Sequence, residues 1–223
     1  MSGLRVRQQR ERTARVLDAA AELFGAKGYH ETHVTEIARA AGLSAATVYN
    51  YFSTKRNIII GLAVRHAKMA LPERRALLRN PPGDPLAAVC AYEDLLAAQS
   101  TRVMPKECWR VIFGTLYEEP GGEAHRTALR LNRLLFRHYL RMLSRFQEAG
   151  RIRADIEIRD LASMIVGIGT FHWMEYLADE TIPITELQRR VNSQLAIVFR
   201  GAYPDSPGSP GSPGGPDSKE TSP

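Results

Sequence analysis

The sequence predicts an all-α protein, and three observations carry that expectation. Apolar residues recur with a 3.6-residue period in one segment after another between Thr13 and Phe199. Gly- and Pro-rich breaks, NPPGDP at 80–85 and EEPGGE at 118–123, cut those segments into helix-sized pieces. Between Thr32 and Lys55, two short amphipathic stretches flank Gly42, which is the pattern of two helices joined by a tight turn.

The elements follow in order. A first helix is expected over residues 8–27, where Thr13, Val16, Leu17, Ala20 and Phe24 keep the period and Gly28 stops it. The arginine-rich segment before it reads as a mobile arm. Val34, Ile37, Ala38 and Ala41 give the second helix one narrow buried face, Gly42 supplies the positive φ that ends it, and Leu43 anchors the turn. His33, or Thr32 beside it, is left to cap that helix. Ser44 is a good N-cap for a third helix with Val48 and Phe52 inward, which leaves Ala45, Ala46, Thr47, Tyr49, Asn50 and Tyr51 outside. Ser53 and Thr54 can cap a fourth helix over 55–78, connecting the N-terminal unit to the rest. Arg56 puts a positive charge in its first turn, which is unfavourable unless an anion is near.

Beyond the first break, helices are expected over 86–100 and 105–117, then a long one over 123–149. Ala128, Leu131, Leu135, Tyr139, Met142 and Phe146 line one face of the long helix, and Gly150 terminates it. Segment 158–178 is apolar on two faces. Leu161, Ile165, Ile168 and His172 form one stripe, and Ala162, Val166, Gly169 and Trp173 form another. A helix wet on one side needs only one stripe, so the second must meet another protein surface or a cavity. Leu187, Val191, Leu195, Val198 and Phe199 mark a last amphipathic helix. The tail, residues 203–223, repeats Ser-Pro-Gly and is expected to be disordered.

Composition narrows the function classes. A chain of 223 residues with 44% hydrophobic content suits one large core or two modest ones. No apolar stretch approaches the length of a membrane span, and the N-terminus is charged where a signal peptide needs an apolar run; a cytoplasmic protein without membrane contact is expected. Cys90 and Cys108 lack metal-ligand spacing and read as buried thiols. His30 and His33 have no third ligand nearby, so no metal is expected. The chain contains no Gly-rich phosphate loop, no G-x-S-x-G turn and no H-E-x-x-H motif, so neither an enzyme nor a cofactor is expected. The net charge is +6, of which residues 1–56 carry +4 from nine basic and five acidic groups. Such concentration suits phosphate contact, although a solvated face would show it too.

The outward face of the third helix, small at its start and polar further on, fits a major groove about 12 Å wide. An ordinary pair of surface helices would share that pattern. The ordered set RTARVLDAAAELFGAKGYHETHVTEIARAAGLSAATVYNYFSTK, over residues 12–55, resembles the DNA-binding domain of the tetracycline-repressor-like family of bacterial regulators. It includes the LF-x-x-x-GY helix end, the IA-x-x-AG-L-S turn and the TVYNYF-x-x-K segment. The resemblance implies a three-helix helix-turn-helix DNA-binding domain at 1–56, joined by a connecting helix to a helical ligand-binding and dimerisation domain at 57–202. It further implies that Ala45, Ala46, Thr47 and Asn50 approach base edges while Ser44, Tyr49, Tyr51 and Lys55 meet phosphates. Side-chain chemistry agrees, since Asn50 can bind adenine in bidentate fashion and the tyrosines and lysine are phosphate donors. Thr35 and the arm are further candidates, the arm for an adjacent minor groove.

The last two helices are implied to pair with those of a second copy as a four-helix bundle, with Gly167 and Gly169 allowing close approach, which makes a homodimer the expected assembly. For the helical body, Trp109, Phe113, Tyr117, Phe136, Tyr139, Phe171, His172, Trp173 and Tyr176 are candidate walls of an effector cavity, interleaved with Glu107, Glu118 and Glu175. The same aromatic residues could be plain core. As a set they permit an aromatic or lipophilic effector, or a cation if an acidic group joins a Trp pair. The function expected is a transcriptional repressor released from a double-stranded operator by a small molecule. A DNA-bound structural or protein-interaction factor without such control is the alternative.

Overall fold

A computed structural model describes residues 2–118 and 120–204, apart from the side chains of Ser2, Leu116, Tyr117, Glu123 and Ala124. Among these residues there are nine α-helices and no strand: α1 (Ser2–Lys27), α2 (Val34–Ala40), α3 (Ala45–Tyr51), α4 (Lys55–Arg79), α5 (Pro85–Val103), α6 (Lys106–Glu118), α7 (Glu123–Glu148), α8 (Ile158–Ala178) and α9 (Ile184–Ala202). Residues 205–223, most of the expected tail, lie outside the described part.

Local chemistry explains the boundaries. Gly28 and Gly42, at φ 84° and 65°, stand where α1 and α2 end and where a side chain would be strained. Ser44, Thr54 and Asp84 accept hydrogen bonds from the amides of Thr47, Asn57 and Ala87 at 3.2, 3.1 and 2.8 Å, which caps α3, α4 and α5. At α2 the cap differs from the expectation. The Thr32 hydroxyl turns back to the Gly28 carbonyl at 2.7 Å, and Glu36 accepts from the His33 N–H at 2.8 Å.

The segment expected as a mobile arm is instead the start of α1. Arginine, glutamine and leucine are strong helix formers, and Arg7 pairs with Glu11 one turn on at 2.9 Å. These exposed turns have no apolar face, so periodicity could not reveal them.

Two cores lie side by side. Val16, Ala20, Phe24, Ile37, Val48, Ile58 and Ile59 are central to the first, which gathers α1–α3 and the start of α4 into a compact head. The second, the body, is built around Tyr92, Tyr139, Leu143, Ile165, Leu195 and Phe199 from α5 and α7–α9. α4 runs along both, contributing Leu62 to the first core and Leu78 to the second. Pro72 lies inside α4 and has no N–H to offer the Lys68 carbonyl one turn back. α6 wedges between the cores. Its Cys108 is buried in the head core, its Phe113 packs on the body core, and Trp109 touches both.

Candidate nucleic-acid interface and body cavity

The turn after α2 sets α3 across the outer side of the head. Thr35, Ser44, Ala46, Tyr49 and Asn50 are exposed there, with Tyr49 open to 48%. Ala45, Thr47 and Tyr51 are half-buried, and Ala45 and Tyr51 pack against the head core. The Ser44 hydroxyl caps α3 and stands 2.8 Å from the Thr47 hydroxyl, so both groups are partly engaged before any ligand arrives. What remains open is a tyrosine phenol, an asparagine amide and a methyl group, an array able to meet phosphate, a base edge and a thymine methyl.

Lys55 is turned inward. Its ammonium donates to the carbonyls of Tyr29, His30 and Thr32 at 2.8, 3.2 and 2.9 Å and lies 4.3 Å from the centre of the Tyr29 ring. Burial lowers its pKa, but an ammonium has three donors and all three are engaged. A phosphate contact by Lys55 would therefore require giving up one of these bonds. Arg56, its neighbour, meets Glu118 at the far end of α6 at 2.5 Å, which supplies the anion missing from the first turn of α4. Glu107, near the start of α6, accepts from the N–H groups of Tyr29 and His30 at 3.0 and 2.8 Å.

On the opposite side of α6 the body encloses a cavity of about 300 Å³. Of the aromatic residues expected on its wall, Trp109, Phe113, Tyr139 and Trp173 are there. Trp109 and Trp173 form an edge-to-face pair with ring centres 5.9 Å apart. The others are elsewhere. Phe171 is 53% exposed, Tyr176 lies under the Lys106 ammonium at 3.8 Å, Phe136 stacks near Arg159, and His172 is buried against Glu175 at 2.7 Å. The Tyr117 side chain lies outside the described residues. Helical spacing showed that these rings were apolar positions but not which neighbour each faced.

The acidic groups also differ from the expectation. Glu107 and Glu118 face the head, and Glu175 pairs with His172 and Arg190; the carboxylates on the cavity wall are Glu93 and Asp94. Burial pushes the Glu93 carboxyl up to about 7 against the hydrogen bond from the Tyr139 hydroxyl. His66 and Arg74 of α4 also stand on the wall. Arg74 donates to Gln99 at 2.8 Å, whereas His66, only 6% exposed, is held down to about 4 by burial and by Arg74 and Arg102. Its Nε2 and the Asp94 Oδ1 are buried without a partner among the described residues. None of these groups stands out in the sequence, because a polar residue on a helix carries no signal of the neighbours that will pack against it.

The second stripe of α8 meets this cavity, where Val166, Gly169 and Trp173 join Thr170 on the wall. Gly169 is thus not free for a mate helix, because a Cβ there would come within 2.9 Å of the Glu93 carboxylate. Gly167 faces open space. Around it Met164, Phe171 and Met174 of α8, with Ile197 of α9 at 64%, are exposed apolar side chains. The thiols of Cys90 and Cys108 are pushed by burial up to about 11 and about 12, away from the reactive thiolate.

Residues 16–62 match the model of the bacterial regulatory proteins of the tetR family. The chain is 39% identical over 57 residues, 26% of its length and 29% of the relative's, to the fatty acid metabolism regulator protein of Bacillus subtilis. It is 28% identical over 142 residues, 53% of its length and 65% of the relative's, to the transcriptional activator FasR of Mycolicibacterium smegmatis. These matches span between about a third and two thirds of those relatives. The fold is also that of Thermus thermophilus FadR, a repressor solved with lauroyl-CoA, at a TM-score of 0.67, 24% identity, and coverage of 89% of this chain and 100% of that one. Among the described residues no helix is long and apolar enough to cross a membrane.

Proposed function

Because the chain belongs to the tetR family of bacterial regulatory proteins, we propose that it is a sequence-specific DNA-binding transcriptional regulator, a cytoplasmic repressor released from its operator by a small lipophilic effector. The observation that carries this reading is the cavity of about 300 Å³ whose wall, α6, is also part of the head core. A filled body would have favoured the alternative of a DNA-bound factor without small-molecule control. The volume is at the lower end of the range for small-molecule sites, and the apolar wall suits an acyl chain or a flat ring system. The fatty acid regulator of Bacillus subtilis and the lauroyl-CoA complex of the Thermus protein support a fatty acyl compound.

Two copies act together. The exposed side chains of Met164, Phe171, Met174 and Ile197 on α8 and α9 form the surface a mate would cover, and Gly167 leaves room for its helix. Each head presents Ala46 and Asn50 to base edges and Tyr49 and Ser44 to phosphates, with Thr35 at the flank, in major grooves about 34 Å apart. The effector must bind the DNA-incompetent shape more tightly, since equal affinity for both shapes would shift nothing.

The test is operator binding by the purified protein, on a duplex selected from a random pool, titrated with lauroyl-CoA and with shorter and longer acyl-CoAs. A loss of operator affinity of tenfold or more with at least one of them is expected. Unchanged affinity throughout, with mass spectrometry finding no small molecule carried through purification, would leave the factor without small-molecule control. Because FasR is an activator, a reporter assay after gene deletion decides the direction of control. Output that rises fits repression.

A further inference from the structure

The peptide that joins α1 to α2 is gripped from both sides by charges it does not itself supply. On its N–H side, Glu107 of α6 accepts from Tyr29 at 3.0 Å through Oε2 and from His30 at 2.8 Å through Oε1, and the His30 ring stands 3.6 Å from the same carboxylate. On its C=O side, Lys55 of α4 donates to Tyr29, His30 and Thr32. Hydrogen bonds to an ionised carboxylate or ammonium are short, directional and about twice as strong as neutral ones. Gly28 makes the approach possible, because a Cβ there would collide with the Glu107 Oε2.

The same helix carries a second carboxylate, Glu118, which holds Arg56 beside Lys55. Between these two ends, Cys108 is buried in the head core while Trp109 and Phe113 face the cavity. Any molecule that displaces Trp109 or Phe113 moves a helix whose ends are tied to the head. We propose that Glu107 is the positioning residue through which the body sets the attitude of the reading head, by capping the Tyr29 and His30 amides that Lys55 holds from the other side. This rests on the ligand-gated reading above and names its route. Filling the cavity shifts α6, Glu107 draws the loop and α2 with it, and Lys55 passes the movement to α4.

The test needs no knowledge of the natural effector. In the full chain, Ala128→Phe fills the cavity from α7 and leaves the sequence of α6 and of the head unchanged, and it is combined with Glu107→Gln in a double-mutant cycle. Operator affinity is measured on the selected duplex, and hydrogen exchange is followed at the Tyr29 and His30 amides. Ala128→Phe is expected to weaken operator binding at least tenfold in the wild-type background and less than threefold in the Glu107→Gln background. Exchange at the two amides should speed up in either single variant. Equal fold losses in both backgrounds, or unchanged amide protection in Glu107→Gln, would overturn the role of Glu107 and leave the ligand-gated reading standing. Operator binding indifferent to Ala128→Phe in both backgrounds would overturn this proposal together with that reading. If Glu107→Gln does not fold, Glu107→Asp, whose carboxylate is withdrawn by one methylene, replaces it with the same expected outcomes.

Discussion

The head and the body differ in how fully they satisfy buried polar atoms: the body pairs some, such as Arg74 with Gln99, and leaves others unpartnered. In the head, the Thr32 hydroxyl is fully buried and bonded to the Gly28 carbonyl, and the charges of Lys55 and Glu107 meet backbone partners. In the body, His66 Nε2, Asp94 Oδ1, His172 Nε2 and Asn192 Oδ1 are buried with no partner among the described residues. Each such atom costs about 1–3 kcal/mol. The head is therefore built for one shape, whereas the body keeps a void on whose wall His66 Nε2 and Asp94 Oδ1 await a guest.

The sharpest way to break this contrast is to excavate each region. Ile37→Ala, at the fully buried centre of the head, should cost about 2–5 kcal/mol in denaturant unfolding. Phe113→Leu, beside an existing void, should cost less than about 1.5 kcal/mol. Comparable losses would mean that the two cores are equally tight.

A pH series separates the body's polar groups. The folded pKa of His66 is depressed to about 4, so its contribution to stability is complete above about 6.5 and is lost as pH falls toward 4. The folded pKa of Glu93 is raised to about 7, so its contribution is present below about 4.5 and is lost as pH rises through 7. Their slopes oppose each other over the shared window. Relative to wild type, Glu93→Gln should show stability climbing with pH, by up to about 3 kcal/mol between pH 4 and 6.5 from His66. His66→Leu should show stability declining with pH. Parallel curves for all three proteins would mean that these groups are solvated.

Lys55 sharpens the head. As an internal staple, Lys55→Met should cost about 1.5–3 kcal/mol of stability and leave the salt dependence of DNA binding unchanged. A salt slope reduced by about one, with little loss of stability, would assign the ammonium to phosphate instead. The smallest expected effect belongs to the open face of α3. Asn50→Ala should cost about 1–3 kcal/mol at a single base position, and a uniform loss over all sequences would show that it reads no base.

What the sequence disclosed follows from what each signal measures. Helices with an apolar face and a glycine stop were legible, and α8 was legible to the residue, from Ile158 to Ala178. The first turns of α1 were not, because propensity and an exposed ion pair leave no periodic trace. Trp109, Phe113, Tyr139 and Trp173 were recognisable as cavity candidates, but nothing local separates them from Phe171, which faces outward. Glu93 and His66 were hidden because a polar residue on a helix reads as wet until the neighbouring helices are in place. Glu107 was noticed beside the aromatic positions, yet it points the other way, two residues of helix before Trp109.

Pro72 gives α4 a mechanical character. Without an N–H for the Lys68 carbonyl, the helix lacks one rung on the body side of the head and is softest to bending there. About 25 Å of rod, at about 1.5 Å per residue, separates Pro72 from Lys55. A bend of about 5° at the proline would thus sweep the lysine end through about 2 Å. Mirrored in a second subunit, that arc would alter the span between the heads by up to about 4 Å against a groove repeat of about 34 Å. A soft spot in the middle of a lever lets an ångström-scale change inside the body become a mismatch of pitch outside it.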